Sequence, residues 1–131
     1  MTANAVPLAL DCSRNYLIAQ LDDLVSGRVF WQLAPEQADL PLIVAHSADA
    51  GGAPVPHIGL VGWSGDIAVR VFAATRPEAE TLASQMLGLI APYARVQNHT
   101  LTWSLLRPVV IPPANQRFIA GWIFNVQVYT Q

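Results

Sequence analysis

The chain has 131 residues, enough for one domain whose core needs neither disulfides nor metal. Only 12% of its residues are charged, against 53% hydrophobic, and its seven basic residues are scattered arginines in a net charge of −2. These values give no electrostatic footprint for nucleic acid, and no apolar run reaches the ~20 residues of a membrane helix. Cys12 stands alone, so no intrachain disulfide forms and a reducing cytoplasm is the expected setting; Met1 to Val6 lacks the pattern of a signal peptide. A soluble domain ordinarily carries ~25% charged residues. A chain this poor in charge has difficulty covering its own apolar area, which favours association over the plainer alternative of an apolar core under a neutral surface of Gln, Asn, Ser and Thr.

Residues 1–10, with Pro7, read as a loose lead-in. A first helix is expected from Asp11 or Ser13, both good caps, with Leu17, Ile18, Leu21, Leu24 and Val25 as its stripe and Gly27 ending it. Asp22 and Asp23 fall near its C-terminal end, where the helix dipole disfavours anions. They are placed to answer a partner's arginine, or simply to be solvated.

Arg28 to Leu33 and Leu40 to Ser47 read as short strands, joined by a turn-rich segment. Ala48 to His57, broken by Gly51, Gly52, Pro54 and Pro56, reads as a long loop. The central strand, from Leu60 to Ala73, alternates. Trp63, Gly65, Ile67, Val69 and Val71 fall on one face, and Ser64, Asp66, Ala68, Arg70 and Phe72 on the other.

Thr75-Arg76-Pro77-Glu78 then forms a capping box, and Ala79, Leu82, Ala83, Met86 and Ile90 make a helical stripe that Pro92 terminates. A helix following so closely on a strand folds back onto it. His99 to Arg107 reads as a further strand with Leu101, Trp103 and Leu105 on one face; Arg107 to Gln116, holding Pro108, Pro112 and Pro113, reads as a second long loop. In the last strand, Phe118 to Tyr129, the even-numbered face is apolar throughout. The face of Ile119, Gly121, Ile123, Asn125, Gln127 and Tyr129 is mixed.

The expected fold is therefore a single α+β domain over residues 1–131, a two-layer sandwich of order α-β-β-β-α-β-β. Its five-stranded, mainly antiparallel sheet has two helices on one face. The other face is left uncovered. Four tryptophans, Trp31, Trp63, Trp103 and Trp122, fall on four different strands.

Motifs that would carry chemistry are weak. Gly62-Trp63-Ser64-Gly65 misses the spacing of a nucleophile elbow and continues as a strand. Gly59, Gly62 and Gly65 precede no helix start and make no phosphate cradle. His46, His57 and His99 have no metal-ligand spacing, and Cys12 has no partner nearby. Asp66 and Arg70 share a strand face and suit an ion pair, structural or between subunits, better than a catalytic dyad. Neither a catalytic group, a cofactor site nor a metal site is expected.

Several strings together resemble the tail terminator proteins of long-tailed bacteriophages. They are Arg28-Val29-Phe30, Leu33-Ala34-Pro35 and Ala38-Asp39-Leu40-Pro41-Leu42-Ile43-Val44, then Asp66 to Thr75 followed by Glu78-Ala79 and Leu82-Ala83, and the closing Trp122 to Tyr129. The likeness runs from about Leu10 onward, in loose patterns, and the sequence departs from it at Pro112-Pro113 and in lacking charges before the last strand. It implies a non-enzymatic homohexameric ring that caps the tail tube, stops its polymerisation and meets the head-tail connector or stopper. Such a ring is made in the bacterial cytoplasm and ends in the neck of the virion tail, or of a tail-like particle such as a gene transfer agent. On that footing Trp63, Arg70, Ile119, Ile123 and Tyr129 are candidates for the subunit interface. Gly51, Gly52, Pro54, Pro56 and His57 are candidates for a loop on the tail tube protein. The alternative is a small-molecule binding module or enzyme that uses the open sheet face as its floor.

Overall fold

The computed structural model describes residues 5–35, 38–48, 53–57, 60–96, 99–114 and 117–130. In chain order the elements begin with α1 (Ala5–Leu21), continued by a 3-10 turn (Asp22–Val25), and then β1 (Val29–Trp31), β2 (Leu42–Ser47), β3 (Ala53–His57) and β4 (Leu60–Ala73). They end with α2 (Arg76–Leu89), β5 (Tyr93–Val96), β6 (His99–Ala114) and β7 (Arg117–Thr130). One sheet runs β1-β2-β4-β7-β6-β5, and β3 also pairs with β4. β2 lies along β4 from Ile67 to Phe72 and β3 from Leu60 to Ser64, so two short strands share one edge of the long one. Every pairing is antiparallel except that of β1 with β2.

The strand–helix unit of β4 and α2 forms as its pattern dictates. Thr75 Oγ1 accepts from the Glu78 amide at 3.3 Å, and Pro77 sits in the first turn, where a missing amide proton costs nothing. Ala79, Ala83 and Met86 turn inward onto the sheet. α1 starts at Ala5, earlier than Asp11, because Pro7 falls in the first helical turn, where proline is tolerated. Gly27, at φ 84°, ends the turn that follows.

The five-stranded expectation is corrected to seven strands in the order α-β-β-β-β-α-β-β-β. Both expected loops contain strand. Ala53–His57 forms β3 against β4, and Arg107 to Ala114 continues β6 against β7. Proline misled the reading in both places. β3 is an edge strand, and β5 covers β6 only from His99 to Thr102, so these prolines lie where an absent N–H forfeits little of the ladder. β5 itself follows too closely on Pro92 to stand out. A bulge between Leu105 and Arg107 leaves Leu106 as the extra residue. Leu105 shares the face of Leu101 and Trp103, as its alternation predicts, but next to the bulge it is 49% exposed.

The core lies between the helices and one sheet face. Leu17, Leu21 and Val25 meet Ile67, Val69, Val71, Met86 and Val126 there. Tyr16 stacks on Trp103 at 5.6 Å, Trp103 meets Phe124 edge-on, and the Tyr16 hydroxyl accepts from the Ala91 amide at 2.9 Å. Trp122 Nε1 donates to the Ala83 carbonyl at 2.7 Å, tying α2 to β7. Together these contacts place both helices on the same side.

Candidate functional site

The sheet face away from the helices is where sequence reasoning placed the contacts of this protein. Cross-strand partners share a face, so the register defines its rows. At one end Ser64 stands beside Gln127 and Thr102, and Asp66 beside Asn125 and Ser104. This half is polar and internally bonded. Asn125 Nδ2 donates to Asp66 Oδ1 at 3.1 Å, and the Tyr129 hydroxyl donates to Gln127 Oε1 at 3.0 Å.

At the other end the rows turn apolar. Ala68 stands beside Ile123, Phe72 beside Leu42 and Ile119, and Arg70 between Val44 and Gly121. Gly121 is required there. A Cβ would run into the Val69 carbonyl oxygen and come within 2.8 Å of the Arg70 Cα. Leu42, Val44 and Ala68 are buried although no helix lies over them, so this half of the face is sheltered rather than bare.

The shelter comes from the segment after β1. Gln32 holds φ at 73° while the Leu33 amide donates to the Trp31 carbonyl at 2.9 Å. This is a γ-turn with positive φ, a strained geometry for a residue with a side chain. The Gln32 amide donates to the Ala45 carbonyl at 2.7 Å and pins the turn to β2. Leu33, thrown outward, is 78% exposed. Beneath the turn lies a cleft of about 210 Å³, lined by Gln32, Leu33 and Ala34, by Leu42, Val44 and Phe72 of the sheet, and by Arg70 and Arg117.

Arg70 is the unusual group. Its guanidinium lies over the Phe72 ring, 5.5 Å from the centroid, and its Nε is buried without a hydrogen-bond partner. Burial pulls its pKa below the ordinary arginine value. An ion pair with Asp66 does not form, since four residues of strand separate the two by about 13 Å and Asp66 bonds Asn125 instead.

The sequence-derived candidates thus divide. Arg70, Ile119, Ile123 and Tyr129 share the helix-free face, half-buried. Trp63 does not: it is 1% exposed and belongs to the core beneath the helices, because it alternates with Ser64 onto the covered side. Pro54, Pro56 and His57 are brought together on β3, a strand rather than a loop, and Gly51 and Gly52 lie outside the described residues. Sequence reasoning missed Gln32, Leu33 and Arg117. Leu33 was legible only as part of a strand, because nothing in an ordinary glutamine announces a positive φ. Among the described residues no three His, Cys, Asp or Glu side chains gather to hold a metal ion, and no helix is long and apolar enough to cross a membrane.

No protein-family model matches the chain, and no curated protein sequence matches it. Among solved structures it is similar to a chain of the virion of a native gene transfer agent particle. The two superpose with a TM-score of 0.67 at 19% identity, over 97% of this chain and 99% of the other. At that identity the likeness establishes a shared fold from end to end.

Proposed function

We propose that this chain is a structural virion protein of the tail-terminator kind. Copies of it close into a six-membered ring that caps the tail tube, ends its polymerisation and offers a surface to the head-tail connector or stopper in the neck of the particle. The observation that carries this reading is the correspondence of fold with a gene transfer agent virion chain over 97% of this chain and 99% of the other. The low charge of the chain and the helix-free sheet face support it in the same direction. In this reading Arg70, Ile119, Ile123 and Tyr129 lie toward a neighbouring subunit. The arm formed by β3 and the start of β4, with Pro54, Pro56 and His57, lies toward the tube.

A ring subunit needs surfaces rather than a reaction centre, and the site described above is built accordingly. The cleft of about 210 Å³ is smaller than the roughly 300–1,000 Å³ of a typical small-molecule pocket. It suits one inserted side chain.

Electron microscopy of tails assembled with and without the protein tests the proposal. With it, tubes of uniform length should carry an added ring at one end and join heads. Without it, tubes should overrun and remain headless. Uniform, head-joined tails formed in its absence would refute the reading.

A further inference from the structure

Two features of the surface are electrostatically incomplete, and each is the complement of the other. The first is the cleft under the Gln32 turn, whose lining holds Arg70 and Arg117 and, among the described residues, no acidic one. The Arg70 Nε there is buried without a partner. A desolvated guanidinium with an unmet donor is stabilised by a carboxylate that reaches it from outside.

The second is the turn at the end of α1. Asp22 and Asp23 stand side by side there, Asp22 half-buried and Asp23 exposed, and neither carboxylate has a partner among the described residues. They occupy the C-terminal end of a helix, where the dipole opposes negative charge. Among the other described acids, Asp11 pairs with Arg14, Glu80 with Arg76, Asp66 bonds Asn125, and Glu78 sits at a helix N-terminus, where the dipole favours it; Asp39 is exposed but stands alone, without a second acid beside it.

We infer that the cleft of Arg70 receives the Asp22–Asp23 turn of a second copy of this chain, with Leu33 as the apolar anchor beside the ion pair. The Arg70 cleft is on the helix-free face of the sheet, whereas the acidic turn ends a helix packed on the other face. The contact therefore joins two different patches and is head-to-tail, the kind that repeats around a ring. It rests on the ring reading proposed above and names the residues that would close it.

The test uses the full chain, with folding of each variant checked by circular dichroism and thermal melting. Association is followed by sedimentation and, on assembled tails, by microscopy. Arg70→Gln, or Asp22→Asn with Asp23→Asn, should weaken association about thirty-fold or more, as expected when one partner of a desolvated charge pair is removed. Arg70→Asp should abolish it, and combining Arg70→Asp with Asp23→Arg in one chain should restore it. For contacts too brief to sediment, Arg70→Cys with Asp23→Cys in a Cys12→Ala background should give an oxidative ladder of multimers. Arg70→Cys with Glu78→Cys should not. Association indifferent to these changes would overturn the inference while leaving the ring intact. Dependence on Arg70 but not on Asp22 and Asp23 would overturn the second copy as occupant. An absence of self-association and of cross-linking, in solution and on tails, would overturn the inference and the ring together.

Discussion

Among the described residues the two faces of the sheet each keep one buried nitrogen without an acceptor, and the contrast between them shows how the molecule is divided. On the covered face it is Trp103 Nε1, enclosed between Tyr16 and Phe124. On the other it is Arg70 Nε, at the floor of a cleft that opens to the surface. The indole is sealed by large side chains whose burial outweighs one unmet donor, a loss of about 1–3 kcal/mol. The guanidinium has no such cover, and a ligand from outside can still satisfy it. One face is finished by its own chain. The other keeps its unmet donor beside an open cleft.

The largest effect expected from this contrast is on stability. Trp63→Ala, on the covered face, should cost about 3–5 kcal/mol by chemical denaturation. Ile123→Ala, on the half-buried open face, should cost less than about 1.5 kcal/mol in the isolated chain while weakening assembly. Equal costs would mean that the faces are not differently buried. Next in size is Gly121→Ala, which forces a methyl against the Val69–Arg70 backbone and should destabilise by about 1–3 kcal/mol. A neutral result would show that β4 and β7 can part at that point. Gln32→Gly should stabilise the isolated chain by up to about 1 kcal/mol by relieving the positive φ, readable as a raised melting temperature.

The smallest effect is in pH. Burial, and secondarily the charge of Asp11, raises the Cys12 thiol above its ordinary 9.0. The folded state then holds that proton after the unfolded chain has released it. The corresponding stability is complete below pH 9 and lost as pH rises through the folded value. Cys12→Ala should flatten that alkaline decline; an unchanged slope would place the decline in other groups.

Much of the covered face was legible in the sequence. Ile67, Val69 and Val71 alternate, Ala79, Ala83 and Met86 recur at helical spacing, and Thr75 caps as its motif requires, because each signal is local. The helix-free face was legible as a set of residues but not as a shape. No periodicity tells that Gln32 adopts a positive φ, that Leu33 is thrown outward, or that Arg117 of β7 joins Arg70 of β4 in one cleft. Trp63 was set with the interface although its parity with Ile67 already assigned it to the core. The strands β3 and the outer half of β6 were hidden by proline, whose penalty depends on whether a strand lies at an edge, and that is a property of the sheet.

Those prolines have a consequence for how copies can meet. Pro54 and Pro56 lie two apart on β3, and Pro108, Pro112 and Pro113 lie on the stretch of β6 that β5 leaves uncovered. Backbone without N–H groups cannot template another strand. Growth by continuous cross-chain hydrogen bonding, the route to fibrils, is interrupted wherever one of these prolines would have to donate.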